Sequence, residues 1–287
     1  MLEDALGTLA HGDFDHRIVV LTVVMVLAGF TSGLIGFGFS FIAALALFFF
    51  APRELFPLLL VLSLVTQLTS MWSLRAEMVP LRNWWPEGPA PFLLGAVIGI
   101  PGGLWLLYHL DAAALCELVG AIIVGYSTWA LFAGPKQVAP ERVATLSAIP
   151  ARTATGVLGG LIGGFTAAPG TVVAMWANIV GLGKERQRAI VQPFIAGTQL
   201  LALVDQMRAP GGVKPAVLIF AAALCVVVVP ANLLGVRLFR HIGDTAFKKA
   251  VLALLLGMGI ALIDKGFHVW GELYTSWHMA HPWLEPR

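Results

Sequence analysis

Apolar residues run through this chain in long blocks separated by short polar stretches. The blocks fall at about 17–36, 38–51, 56–74, 89–108, 112–133, 147–164, 167–181, 188–205, 215–235 and 246–264. A helix that crosses the hydrocarbon of a bilayer upright needs about 20 apolar residues. Most of the blocks are close to that length. The second and seventh are shorter, which predicts half-helices or strongly tilted ones. The pattern predicts an all-α polytopic membrane protein of about ten helical segments.

The two sets of five segments match in sequence. GFTSGLIG, Gly29 to Gly36, aligns without a gap on GVLGGLIG, Gly156 to Gly163. Further on, Thr66-Gln67 falls on Thr198-Gln199, Gly103 on Gly235, His109 on His241 and Gly125 on Gly257. The offset changes from 127 to 132, which one five-residue insertion near GLGKERQR accounts for. The chain reads as an internal duplication. Because five is odd, the second set must enter from the opposite face, which gives inverted repeats. The expected organisation is a tail at 1–16, a first repeat at 17–133, a linker at 134–146, a second repeat at 147–264 and a tail at 265–287.

Composition agrees with a bilayer location. Hydrophobic residues make up 58% and charged residues 12% of the 287 positions, and no stretch is left over for a soluble domain. If every segment changes sides, the loops sharing a face with the termini hold six Lys and Arg and the other loops hold twelve, Arg188 among them. The positive-inside rule then puts both termini on the non-cytoplasmic side, with the linker in the cytoplasm of a bacterial inner membrane. The opening MLEDALGTLAHGDFDHR lacks the basic start and cleavage site of a signal peptide. Cys116 and Cys225 lie in apolar sequence, away from any second Cys or His at ligand spacing, so neither a disulfide framework nor a metal site is expected. A net charge of +2 spread over loops gives no reason to expect a nucleic-acid partner.

Two places break the hydrophobic pattern, one per repeat. The first is Gly36-Phe37-Gly38-Phe39-Ser40 and the second runs from Gly163 through Pro169 and Gly170 to Thr171. Glycine costs a helix about 1 kcal/mol relative to alanine, and proline removes a helical hydrogen bond. Irregular backbone at membrane depth is tolerated only where protein shields it or where it lines a wet cavity, so a pair of breaks points to a midplane transport site. Opened helices offer unpaired N–H groups and the positive end of the dipole to an anion. Thr31, Ser32, Ser40, Thr66, Gln67, Thr166, Thr171, Asn178, Gln192, Thr198 and Gln199 add neutral donors, and Gly36, Gly38, Pro169 and Gly170 shape the backbone. Glycines four residues apart, such as Gly29 and Gly33 or Gly95, Gly99 and Gly103, instead suit close helix packing. Hydroxyls can also bond back to their own helix. No Lys, Arg, Asp or Glu stands at the centre of a segment, so dipoles and hydroxyls rather than a fixed cation are expected to hold the solute. Asp205, near the end of the eighth segment, is the candidate for proton coupling; pairing with Arg208 at the interface is its structural alternative.

With these features the chain resembles the sulfite exporter TauE/SafE family, also called the toluene sulfonate uptake permease family. The likeness is carried by GFTSGLIGFGF and GAVIGIPGGLWLLYHLDAAALCELVGAIIVGYSTWALF in the first half. GVLGGLIGGFTAAPGTVVAMW and ANLLGVRLFRHIGDTAFKKAVLALLLGMGIALI carry it in the second. The resemblance implies transport of small sulfur-containing anions such as sulfite, thiosulfate or sulfonates, without a bound cofactor. This chain departs from the family's richer glycine cluster at Phe39-Ser40 and at Thr166-Ala167-Ala168.

A cytoplasm held negative favours outward anion movement by about 2.3 kcal/mol per charge per 100 mV, which favours export. Uptake would need a coupled proton or sodium ion. A membrane scaffold would need no polar cavity. An intramembrane enzyme would need a nucleophile–base pair, an HExxH pair or a central acid dyad, none of which stands at a plausible spacing. The pattern leaves the oligomeric state open.

Overall fold

In the computed structural model of this chain, the described residues are 16–43, 45–46, 52–85, 87–109, 112–132, 140–166, 169–208 and 213–266. Most of both predicted tails, and residues 134–139 of the linker, lie outside them. The described residues form helices and their connections, with no strand among them. The first set comprises α1 (His16–Ile35), α2 (Phe39–Ala43), α3 (Pro52–Ser73), α4 (Ala90–His109) and α5 (Ala112–Phe132). A short α6 (Pro140–Ser147) falls within the expected linker. The second set follows as α7 (Ile149–Thr166), α8 (Gly170–Ile179), α9 (Lys184–Arg208), α10 (Pro215–His241) and α11 (Asp244–Gly266). Three helices, α1, α10 and most of α11, are long and apolar enough by length and composition to cross a membrane.

The helices overlap the predicted segments but differ in extent: α2 is five residues long where 38–51 is expected, and the longest extensions lie at charged ends. α9 begins at Lys184 rather than near 188, and α10 runs to His241 rather than 235. Lys, Glu, Arg and Gln are good helix formers, so a polar stretch need not be a loop. Glu185 in the first turn of α9 and Arg240 and His241 in the last turn of α10 also complement the helix dipoles. Arg188, assigned from the sequence to a loop, therefore lies within α9 and is buried. The connection between α9 and its neighbours is tied down by Lys184. Its Nζ donates to the carbonyls of Phe239 (3.2 Å) and Ile242 (2.6 Å) at the end of α10.

Helix pairing is reciprocal between the halves. α1 packs along α10, and its counterpart α7 packs along α4, while α3 meets α9 and α5 meets α11. The long pairs are in contact through backbone. A Cβ at Gly33 would collide with the carbonyl of Asn232, and one at Gly235 with that of Phe30. In the other pair the same holds for Gly99 against the Val157 carbonyl and Gly156 against that of Phe92. Small residues at such crossings let helices approach closely, which is the packing role expected for the four-residue glycine spacing.

The distribution of polarity is inverted relative to a soluble bundle. Val19, Val23 and Leu27 on α1, Leu94, Val97 and Ile98 on α4, and Leu218, Ile219 and Val226 on α10 are exposed. Ser32, Ser63, Gln67, Ser70, Gln192, Gln199 and Asn232 are buried. Continuous exposed apolar surface on this scale fits a lipid environment. A polar tie joins the two halves: Ser70 Oγ donates to Asn232 Oδ1 (3.0 Å), and Asn232 Nδ2 donates to the Gly29 carbonyl (3.1 Å), joining α3, α10 and α1.

Replacing Gly33 or Gly156 with alanine should lower the thermal unfolding midpoint of the detergent-solubilised protein, because overpacking costs about 1–3 kcal/mol. Gly102→Ala in α4, where an added Cβ meets nothing within 4 Å, should leave that midpoint unchanged or slightly raised. Equal effects at all three positions would refute the close-packing account.

Candidate functional site

The first break is set by two glycines. α1 ends at Ile35; Gly36 and Gly38 then take φ values of +91° and +93°, and α2 starts at Phe39. L-residues rarely adopt that region, so only glycine turns the chain here without strain. The amide of Gly36 still donates to the Ser32 carbonyl (2.8 Å), but the carbonyl of Gly33 is left without a helical donor. Arg188 Nη1 fills that vacancy at 2.8 Å. A cation at a helix C-terminus is favourable, since it meets unpaired carbonyls and the negative end of the dipole.

The second break starts later than the sequence predicts. α7 continues through Gly163 to Thr166, and α8 starts at Gly170 after Pro169. A Cβ at Gly163 would lie 2.6 Å from Pro169 Cβ, so glycine at 163 lets the returning chain lie against α7. No side chain caps the start of α8. Its first amides have no helical partner by geometry. α2, only five residues long in the described chain, has too few aligned peptides for a comparable dipole.

The two breaks meet at one small cavity. Phe37, Gly38, Phe39, Ser40 and Phe41 form one wall and Pro169, Gly170 and Thr171 face them. Gln67 with Ser63 from α3, and Gln199 with Ile195 from α9, complete the ring together with Met258 from α11. None of the lining residues is charged. The side-chain oxygens of Gln67 and Gln199 are buried without a hydrogen-bond partner. Buried polar groups are nearly always paired, so such oxygens mark a place where water or solute belongs.

Of the residues singled out in the sequence, Gly38, Ser40, Gln67, Pro169, Gly170, Thr171 and Gln199 line this cavity. Gly36 borders it through Phe37. Thr66 and Thr198 do not line it; their hydroxyls donate to carbonyls of their own helices, at Ser63 (2.8 Å) and at Ile195 (2.8 Å) and Phe194 (3.1 Å). Asn178 likewise donates to Ala174 (3.1 Å). Ser32 is fully buried near the end of α1 with its hydroxyl unpaired, one residue beyond the half-buried Thr31. Gln192 is fully buried with both amide atoms unpaired. The side chain of Thr166 lies outside the described residues. Asp205 is exposed in the last turn of α9, away from the cavity, and makes no ion pair with Arg208.

Sequence reasoning missed Ser63 and Ile195, and also Phe41 and Met258. The first two stand four residues before Gln67 and Gln199, one helical turn away on the same face, and correspond to each other at the offset of 132. That spacing was available as a signal. Met258 had none, because nothing local in α11 marks it as facing a break. Arg188 was missed for the reason given above.

No curated protein and no solved structure matches the chain. The family model for the sulfite exporter TauE/SafE proteins matches residues 21–262, which takes in both breaks, both glutamines of the cavity and most of the packed helices. An all-helical chain with apolar faces outward, a polar interior and this match over most of its length belongs to the sulfite exporter TauE/SafE family, a family of membrane transporters for sulfur-containing anions.

Proposed function

We propose that the chain exports a small sulfur-containing anion, such as sulfite, thiosulfate or an organosulfonate, by alternating access of two inverted five-segment repeats. The observation that carries this reading is the convergence of both helix breaks and both cavity glutamines on one uncharged hollow. The reciprocal pairing of α1 with α10 and of α4 with α7 supports the repeat. The anion would sit against the uncapped amides at the start of α8. The hydroxyls of Ser40 and Thr171 and the amide groups of Gln67 and Gln199 would complete its shell. N–H donors and a helix dipole favour negative charge without a fixed cation, so the solute is held loosely enough to leave. The phenylalanines and Met258 exclude water and sharpen those dipolar interactions.

Direction follows from the membrane potential. An uncoupled anion path discharges outward when the cytoplasm is negative, gaining about 2.3 kcal/mol per charge per 100 mV. Orientation by basic residues puts the first turn of α9 at the cytoplasmic face; moving Arg188 from the loops into α9 removes one of the twelve basic residues counted there and leaves the bias in place. Coupled import finds no support at Asp205, which is exposed and remote from the cavity. A scaffold would be served by dry packing where this cavity lies.

Efflux of sulfite, thiosulfate and a sulfonate from proteoliposomes under an imposed potential tests the reading, with and without a pH gradient. Potential alone should drive at least one of them, and failure to drive any excludes uniport export. Alanine at Ser40, Gln67, Thr171 or Gln199 should each raise KM by about tenfold to a hundredfold, the cost of a lost hydrogen bond to a charged group. Unchanged kinetics in all four would remove the proposed lining. Asp205→Asn should leave flux and its pH dependence as in the parent; a selective loss of proton-driven flux would restore coupled transport.

A further inference from the structure

α9 carries polar side chains beyond the cavity. Arg188, Gln192, Ile195 and Gln199 recur at intervals that place them on one helix face. Ile195 and Gln199 line the cavity; Gln192 and Arg188 continue the same face toward the first turn, with Arg188 about 10 Å along the axis from Ile195. Both are sealed from solvent, at 1% and 0% exposure for Arg188 and Gln192.

The contacts of Arg188 account for only part of its guanidinium. Nη1 caps α1 at Gly33, and Cζ lies 4.2 Å from the centroid of the Phe239 ring. Nε and Nη2 have no partner, neither has any amide atom of Gln192, and no carboxylate among the described residues is within ion-pair distance of Arg188. A buried charge without a close counter-charge is costly to hold, and Glu77 acts on Arg188 only from beyond ion-pair distance. Capping does not require it: Lys184 caps α10 with a single ammonium. Nε and Nη2 form the side-on fork of the guanidinium, which matches two oxygens of one oxyanion. A Cβ at Gly36 would stand 3.1 Å from Nε, so glycine there also keeps that fork open. Phe37, the next residue, is part of the cavity wall.

The duplication shows that this feature belongs to one side. At the offset of 132, Arg188 and Gln192 correspond to Phe56 and Leu60 of α3, whereas Gln199 corresponds to Gln67. The cavity glutamines are shared by both halves; the cation and amide beyond them are not.

We propose that Arg188 and Gln192 form a second anion site, for a small oxyanion, between the cavity and the first turn of α9. There the solute pauses while passing to or from that face. As a step in transport the site rests on the reading of the protein as an anion exporter, but as a binding site it is measured separately. For the detergent-solubilised full chain, sulfite and thiosulfate should raise the thermal unfolding midpoint above that in sodium chloride of equal ionic strength. Arg188→Gln should abolish this shift. Arg188→Lys, which keeps the charge but loses the fork, should reduce it, and so should Gln192→Leu, which leaves the α1 cap intact. In proteoliposomes Gln192→Leu should raise KM by about tenfold for anion offered from the side of the α9 first turn, with KM from the other side unchanged. Anion-dependent stabilisation that needs Arg188, without flux of any anion, would sink the transport reading and leave the second site standing. The second site is overturned if neither anion stabilises the parent protein, or if Gln192→Leu keeps the full shift and the parent KM from both sides. It is overturned equally if KM rises alike from both sides. Should Arg188→Gln fail to fold, Gln192→Leu decides the matter alone.

Discussion

A helix opened inside lipid has to find partners for its freed backbone groups, and the rest of this structure is arranged around that need. Each unpaired N–H or C=O in hydrocarbon costs several kcal/mol, far more than a glycine or a proline in a helix. The chain opens twice, after Ile35 and after Thr166, and in both places other helices surround the opening. At the first, a side chain from the other half supplies the missing donor, Arg188 to the Gly33 carbonyl. At the second, Pro169 reduces the problem by bringing no N–H of its own. No side chain caps the start of α8, where Gly170 and Thr171 border the cavity.

Close shielding of that kind requires helices to touch along their backbones, which explains why glycine is used so heavily away from the breaks. α1 against α10 and α4 against α7 meet at Gly33, Gly235, Gly99 and Gly156, where no Cβ can be accommodated. The interruptions themselves are closed by α3, α9 and α11, while the outer faces of the two pairs carry Val, Leu and Ile to the lipid. The glycines therefore divide into two physical classes with one sequence appearance. Gly36 and Gly38 are needed for positive φ, and Gly33, Gly99, Gly156 and Gly235 for interhelical distance.

That shared appearance also explains what could be read from the chain in advance. The all-helical, apolar character was legible because apolar length is a strong signal, and the breaks were legible because Pro169 and the Gly36-Phe37-Gly38 cluster conflict with a helix locally. Gln67 and Gln199 stood out through the duplication and line the cavity, yet their neighbours Thr66 and Thr198 carried the same signal and turn inward to their own helices. Whether a hydroxyl faces a hollow or the carbonyl one turn back is a matter of helix rotation, which adjacent residues in a sequence cannot specify. Arg188 was hidden for a different reason. In KERQR it is one cation among several, and only the depth at which α9 begins separates it from the solvated ones.

The depth of that arginine bears on how an uncharged cavity handles an anion. A cation placed in the hollow itself would bind the solute strongly in a low-dielectric interior and slow its release, because attraction between unit charges grows as screening falls. Displaced along α9 and already engaged by the Gly33 carbonyl and the Phe239 face, the same charge would, in the proposed path, draw an anion toward one mouth without occupying its midpoint. The neutral donors then need only match, step by step, the hydration that the anion gives up. Since the first half places Leu60 where the second has Gln192, the proposed attraction would be one-sided, and the proposed path would have two unlike ends. In such a path the overall direction is still set by the solute gradient and the membrane potential, while the asymmetry sets the concentration at which each face fills.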